Sequence, residues 1–168
     1  MIAPASYMPV SVTGRYHLSD PRRVGRWPFS NTVWEFTNDA DDPLTIHCRG
    51  GWLLRPDRHF LTDGGSIPRI LRWVYDAWCF VRAFLFHDSG YESRGVWVAH
   101  ELAREQWAFR HITQHDADLL LRRLVPLDGG SLWDARIIYR AVRMFGWLAW
   151  ARRARDSADK RRKSIPVR

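Results

Sequence analysis

The sequence predicts an α+β fold, a small N-terminal antiparallel β-sheet packed against four or five C-terminal α-helices. Three observations carry that expectation. From Pro9 to about Leu61, apolar and β-branched residues alternate in short runs. At Thr62-Asp63-Gly64-Gly65-Ser66-Ile67-Pro68 the pattern breaks with turn and helix-start residues. Beyond that corner, apolar residues recur every three or four positions to about Arg153.

The elements follow in order. Val10-Ser11-Val12-Thr13, Thr32-Val33-Trp34-Glu35-Phe36-Thr37 and Leu44-Thr45-Ile46-His47-Cys48 read as strands, and the turn composition from Asn38 to Pro43 predicts a hairpin joining the last two. Asp39, Asp41 and Asp42 lack the spacing and closing Glu of a calcium loop and read as a solvated turn. Trp52-Leu53-Leu54 and His59-Phe60-Leu61, separated by Arg55-Pro56-Asp57, complete the strand-rich part. Ser66 is a good N-cap and Pro68 falls in the first turn, which predicts a helix from about Pro68 to Tyr75. A second run from about Ala77 to Phe86 delivers His87-Asp88, and Ser89-Gly90-Tyr91 reads as its end, with Gly90 taking the left-handed cap. Val96 to about His111 reads as an amphipathic helix through Val98, Leu102, Trp107 and Phe109. Thr113 with Asp116, and Ser131 with Asp134, resemble capping boxes with Asp in place of Glu or Gln, and they lead into helices from Ala117 to Val125 and from Leu132 to about Arg153. The last helix puts Ile138, Ala141, Val142, Phe145 and Leu148 on one face and Arg136, Arg140 and Arg143 on another.

With 168 residues the chain suits one domain, residues 1–153, followed by a basic tail, 154–168. Ten Trp, eight Phe and five Tyr supply enough apolar surface for a packed core and exclude a generally disordered protein. Residues 1–133 hold 15 Arg against 15 Asp and Glu, whereas residues 134–168 hold 11 Lys and Arg against 3 Asp, so the whole net charge of +8 sits at the C-terminus. That placement suits an electrostatic anchor better than a basic groove spread over the domain. Cys48 and Cys79 are too few for a disulfide framework and have no metal-site spacing, which makes a reducing compartment the default. The N-terminus lacks the basic start of a signal peptide, and the best apolar run, Trp78 to Phe86, is interrupted by Arg82 and far below the ~20 residues that span a bilayer, so the protein is expected not to span a membrane.

Three strings, in this order, resemble a phage and prophage family catalogued as domain of unknown function 1353. They are Phe60 to Arg69, then Ala83-Phe84-Leu85-Phe86-His87-Asp88 with Tyr91, then Ala117-Asp118 followed by Tyr139 to Arg143 and Phe145-Gly146. The chain departs from the family in Arg55 to Phe60, where a small loop ending in Gly-Phe is usual, and in a long spacer before Asp118 that carries a second pair, His115-Asp116. The resemblance implies a phage origin and a compact domain with a shared polar centre; it implies no reaction.

Two polar clusters are the candidates for chemistry. A His and a carboxylate side by side can both ligate a divalent metal, so His87, Asp88 and Asp118 form a candidate metal set, with Asp63, His87 and Asp88 as catalytic candidates and His59 as a further ligand. The structural reading is that His87 and Asp88 terminate a helix and hold neighbouring backbone. For Thr62, Asp63, Ser66, Pro68 and Tyr91 a structural corner is the favoured reading, because no Lys-Ser/Thr follows the glycines and a helix cap already explains Ser66. A third region, Arg136, Arg140, Arg143, Trp147, Trp150, Arg152, Arg153 and Lys160-Arg161-Arg162-Lys163, mixes cations with aromatics and is the candidate partner surface.

The function expected is a bacteriophage virion or assembly component, associated with the tail or its attachment to the head and contacting other phage structural proteins, located in the virion and, during assembly, in the host cytoplasm. The alternatives are a metal-dependent hydrolase with a His-Asp site, and a nucleic-acid-binding accessory protein that uses the basic C-terminus, which would also suit an anionic surface. No cofactor is expected; a divalent metal enters only with the hydrolase.

Overall fold

The computed structural model describes residues 7–24, 31–62 and 79–163, with backbone alone at 22–24, 31–32 and 152–163. Within these residues the fold is α+β, with nine strands and three α-helices. The strands are β1 (Pro9–Thr13), β2 (Tyr16–Leu18), β3 (Arg22–Val24), β4 (Asn31–Asn38), β5 (Thr45–Cys48), β6 (Trp52–Arg55), β7 (His59–Thr62), β8 (Gly95–His100) and β9 (Ala103–His111). The helices are α1 (Val81–Ser93), α2 (Gln114–Leu124) and α3 (Leu132–Lys163). Four or five helices were expected; the described residues contain three, and the helix predicted from Pro68 to Tyr75 lies outside them.

Two antiparallel sheets replace the single N-terminal one. The larger has the order β1-β5-β6-β8-β9; the smaller is built on β4, which pairs with β2 and β3 and, through residues 34–37, with β7. The predicted hairpin between β4 and β5 does not form, because these strands belong to different sheets. The turn residues instead carry the chain across: Asp39 Oδ1 accepts the Asp41 and Asp42 N–H groups at 2.9 Å each, and Asn38 Oδ1 accepts the Leu44 N–H at 2.6 Å. Local side-chain bonds of this kind satisfy a tight turn without requiring its flanks to pair.

The largest correction is at residues 95–111, where the amphipathic helix expected from Val96 to His111 is the β8–β9 hairpin. Val96 and Val98 point inward and Trp97 outward, the two-residue period of a strand, and Leu102 is a turn residue 92 % exposed rather than a core position. The hairpin completes the larger sheet, so that sheet is not confined to the N-terminal part.

α1 is the central element. Every residue from Ala83 to Tyr91 is buried, and the helix packs against β7, β8, α2 and α3. A helix enclosed on all sides has no solvent face to keep polar, which explains the apolar run before His87. Its N-terminus is capped from a distance: the Asp128 carboxylate accepts the Arg82 and Ala83 N–H groups at 2.9 and 3.2 Å and pairs with the Arg82 side chain at 2.6 Å. Placed there, the carboxylate satisfies otherwise orphaned donors and faces the positive end of the helix dipole. The predicted stop at Gly90 is not used. The helix continues to Ser93, Arg94 takes the left-handed conformation, and the Arg94 N–H bonds to the Gly90 carbonyl. Gly90 is needed for packing, since a Cβ there would lie 3.1 Å from Ile112 Cδ1 and 3.4 Å from Ala117 Cβ.

Both predicted capping boxes form. Thr113 and Asp116 bond reciprocally at the start of α2, and Ser131 and Asp134 do the same before α3. α3 runs ten residues past its expected end, a 32-residue helix about 48 Å long. Its inner face turns along the way, from Ile138, Ala141 and Val142 to Ala149 and Trp150, which leaves Phe145 and Leu148, both expected inside, about half exposed. Among the described residues no helix is long and apolar enough to cross a membrane. Cys48 and Cys79 are both free, and burial pushes the Cys48 thiol up to about 12.

Candidate functional site: the His87–Asp118 cluster

Adjacent positions on a helix point in different directions, and α1 uses this at His87 and Asp88. Asp88 faces β7, where the Thr62 hydroxyl donates to its Oδ2 at 2.6 Å. His87 faces α2 and places Nε2 3.0 Å from Asp118 Oδ1. Tyr91, one turn further on, lies on the His87 side with its ring 4.2 Å from the imidazole, and its hydroxyl donates to the same Asp118 oxygen at 2.7 Å. Gln114 donates to the Tyr91 oxygen at 3.2 Å, and Arg143 of α3 donates to Asp118 Oδ2 at 3.0 Å. Residues from all three helices therefore meet at one carboxylate.

The centre of the cluster is closed to solvent, with His87 2 % exposed and Asp118 fully buried, while Arg143 reaches it from the surface with a partly exposed side chain. Burial disfavours the imidazolium, but the hydrogen bond that the ring donates to Asp118, its contact with Asp88 and the charges of those carboxylates outweigh it, so the His87 pKa is raised. Burial likewise opposes the Asp118 carboxylate, and its bonds to His87, Tyr91 and Arg143 hold its pKa below the ordinary value. The Tyr91 phenol is pushed upward, first by burial and then by the Asp118 charge, and it stays a donor. The Asp118 carboxylate is thus set against the Arg143 guanidinium and the His87 ring, so that its buried charge is paired and hydrogen-bonded.

Several expected site residues come together and others do not. His87, Asp88, Asp118, Thr62 and Tyr91 are assembled, while Asp63, Ser66 and Pro68 lie outside the described residues. His59 is exposed on β7 and sits 3.2 Å from Thr37 Oγ1, away from the buried Thr62 side of that strand. Asp88 and Asp118 approach opposite edges of the imidazole, Nδ1 at 3.6 Å and Nε2 at 3.0 Å, and so do not converge on a point where one ion would touch all three side chains. Among the described residues, no group of three or more His, Cys, Asp or Glu side chains is disposed to hold a metal.

Two residues of the expected partner surface turn inward. Arg143 reaches Asp118, and Trp150 packs edge-on against Tyr91 at 5.0 Å while its carbonyl accepts from Arg94. Arg136, Arg140 and Trp147 remain outward. The side chains of Arg152, Arg153, Lys160, Arg161, Arg162 and Lys163 lie outside the described set, but the α3 backbone runs through all six. Gln114, Ser89 and Asp128 carry contacts that the sequence did not signal; Ser89 Oγ accepts the Asp57 N–H at 2.8 Å and ties α1 to the turn before β7.

No curated protein and no solved structure matches the chain. One family model does, over residues 41–142, a span that takes in β5 to β9, α1, α2 and, of the buried cluster, His87, Asp88, Tyr91, Gln114 and Asp118. The chain therefore belongs to the family DUF1353, described as a protein of unknown function.

Proposed function

We propose that the protein is a bacteriophage virion or assembly component, associated with the tail or with its attachment to the head, and that it acts by protein–protein contact through the outer face of α3. The observation that carries the contact role is the exposure of Trp133 (69 %), Met144 (62 %) and Trp147 (57 %) along that helix, beside Leu132, Phe145 and Leu148. Large apolar side chains held together in water mark interfaces more often than free surface. Arg136 and Arg140 are exposed on the same helix, and the Arg122 guanidinium lies 5.4 Å from the Tyr139 ring beside them. A partner that fits this face is apolar at its centre and acidic at its rim. The phage setting rests on the family resemblance.

The burial of His87 and Asp118 supports this reading over a hydrolase, since a general base must reach a substrate, and this cluster spends its hydrogen bonds joining three helices. Mass spectrometry of purified particles tests the proposal: the protein is expected at a fixed copy number per particle, and its absence from washed particles and from assembly intermediates would overturn it.

A further inference from the structure

The outer face of the larger sheet holds a second feature that this contact role does not use. Arg55 of β6, Trp97 of β8 and Phe109 of β9 stand side by side across three strands, with Trp107 two residues along β9. Arg55, Trp97 and Trp107, together with the β4–β5 and β6–β7 connections, border a cleft of about 440 Å³, whose lining also includes Arg58, Asp39 and Asp57. That volume lies within the range of ~300–1,000 Å³ usual for small-molecule sites.

The two indoles are held in place. The Trp97 ring N–H donates to Asp57 Oδ1 at 2.8 Å, and Phe109 packs edge-on against the Trp97 ring at 5.3 Å. The Arg55 guanidinium lies 4.0 Å from the centre of the Trp107 ring and is itself fixed by a bond from its Nε to Thr45 Oγ1 at 3.0 Å. Rings fixed before a ligand arrives spare it the cost of ordering them. Trp97 stays 36 % exposed although neighbouring positions of β8 are buried.

The chemistry of the walls selects the ligand. Aromatic faces take a flat surface of C–H groups, and carboxylates and guanidinia bond a rim of hydroxyls in pairs. Formal charge in the cleft balances, two arginines against two aspartates, so nothing there favours a phosphate backbone, and the excess cations of the chain lie in α3. A sugar ring presents apolar C–H faces and a hydroxyl rim in one molecule. We propose that the cleft bordered by Trp97, Trp107, Asp57 and Arg58 binds an uncharged saccharide of one or two rings, the indoles stacking on the sugar face and Asp57 and Arg58 bonding its hydroxyls. The site contains no residue of α3 and stands apart from the α3 contact role.

The test is ligand-detected saturation-transfer NMR on the intact protein with neutral disaccharides of glucose, galactose, mannose, rhamnose and N-acetylglucosamine, and with glucose-6-phosphate and a short oligothymidylate as anionic probes. At least one neutral disaccharide is expected to bind saturably, with transfer strongest at ring C–H protons. Trp107→Ala and Asp57→Asn should each weaken that binding by about tenfold or more. Arg58→Ala, an exposed change that leaves both indoles in place, should weaken it severalfold, and Trp147→Ala on α3 should leave it unchanged. Failure of the whole neutral panel, binding of the anionic probes alone, or full affinity in folded Asp57→Asn and Arg58→Ala proteins would overturn the assignment.

Discussion

At Asp118 three donors converge on two oxygens, and each comes from a different side chain: His87, Tyr91 and Arg143. Removing the acceptor strands all three, so Asp118→Ala is expected to cost ~3–5 kcal/mol in urea unfolding, the range for breaking a buried charge pair. Arg143→Ala removes one charge-assisted bond from a partly exposed side chain, and about 1 kcal/mol is expected after allowing for solvent screening. The pH dependence has a defined sign. His87 has its folded pKa raised above the ordinary 6.5, so its contribution is fully present below that value and is lost as pH rises through the raised one. Asp118 has its folded pKa lowered from 3.8, so its contribution is present above that value and is lost as pH falls through the lowered one. The melting temperature should therefore fall on the alkaline side of 6.5, and His87→Gln should flatten that limb while lowering the plateau; an unchanged alkaline limb would remove His87 from the account. The sequence made Asp118 visible as a partner for His87, but Arg143 was legible only as one of three arginines on a helix face. Whether such a side chain reaches water or a neighbouring carboxylate is decided by how the helices pack.

Among the elements, α3 depends on one small residue where it passes α1. A Cβ at Gly146 would run into the Tyr91 hydroxyl and come within 3.3 Å of Gln114 Nε2. Gly146→Ala gains helix propensity but displaces Tyr91 from Asp118, and a net loss of ~1–3 kcal/mol is expected from the overpacking. If the variant is neutral or stabilising in a denaturant titration, the approach of α3 to Tyr91 is looser than described. Much at this scale was legible: the strands around Val12, Phe36, Ile46 and Leu54, both capping boxes, and the run leading to His87. What was not legible has a physical cause in each case. Val98, Leu102 and Phe109 fit a helical spacing as well as a strand–turn–strand, and only pairing with β6 decides between them. β2 and β3 have three residues each, too few to show a period. Gly90 looks like a helix stop until Ile112 and Ala117 pack against it. Asp128 caps α1 from 46 positions away along the chain, beyond any local pattern.

For the whole molecule, the buried polar centre and the outer apolar face of α3 divide the labour. The centre ties α1, α2 and α3 together, and the outer face of that assembled body is the surface we propose for a partner. On this account the two regions respond differently to mutation: changes at Asp118 lower stability, and changes at Arg140 and Trp147 leave stability within about 0.5 kcal/mol, as befits surface positions. The most direct measurement is the copy number of the double variant Arg140→Glu/Trp147→Ala in purified particles, compared with the unaltered protein at matched expression and melting temperature. The account predicts incorporation reduced by about tenfold or more in a protein that is still folded. Incorporation at the unaltered level by that folded variant would contradict it.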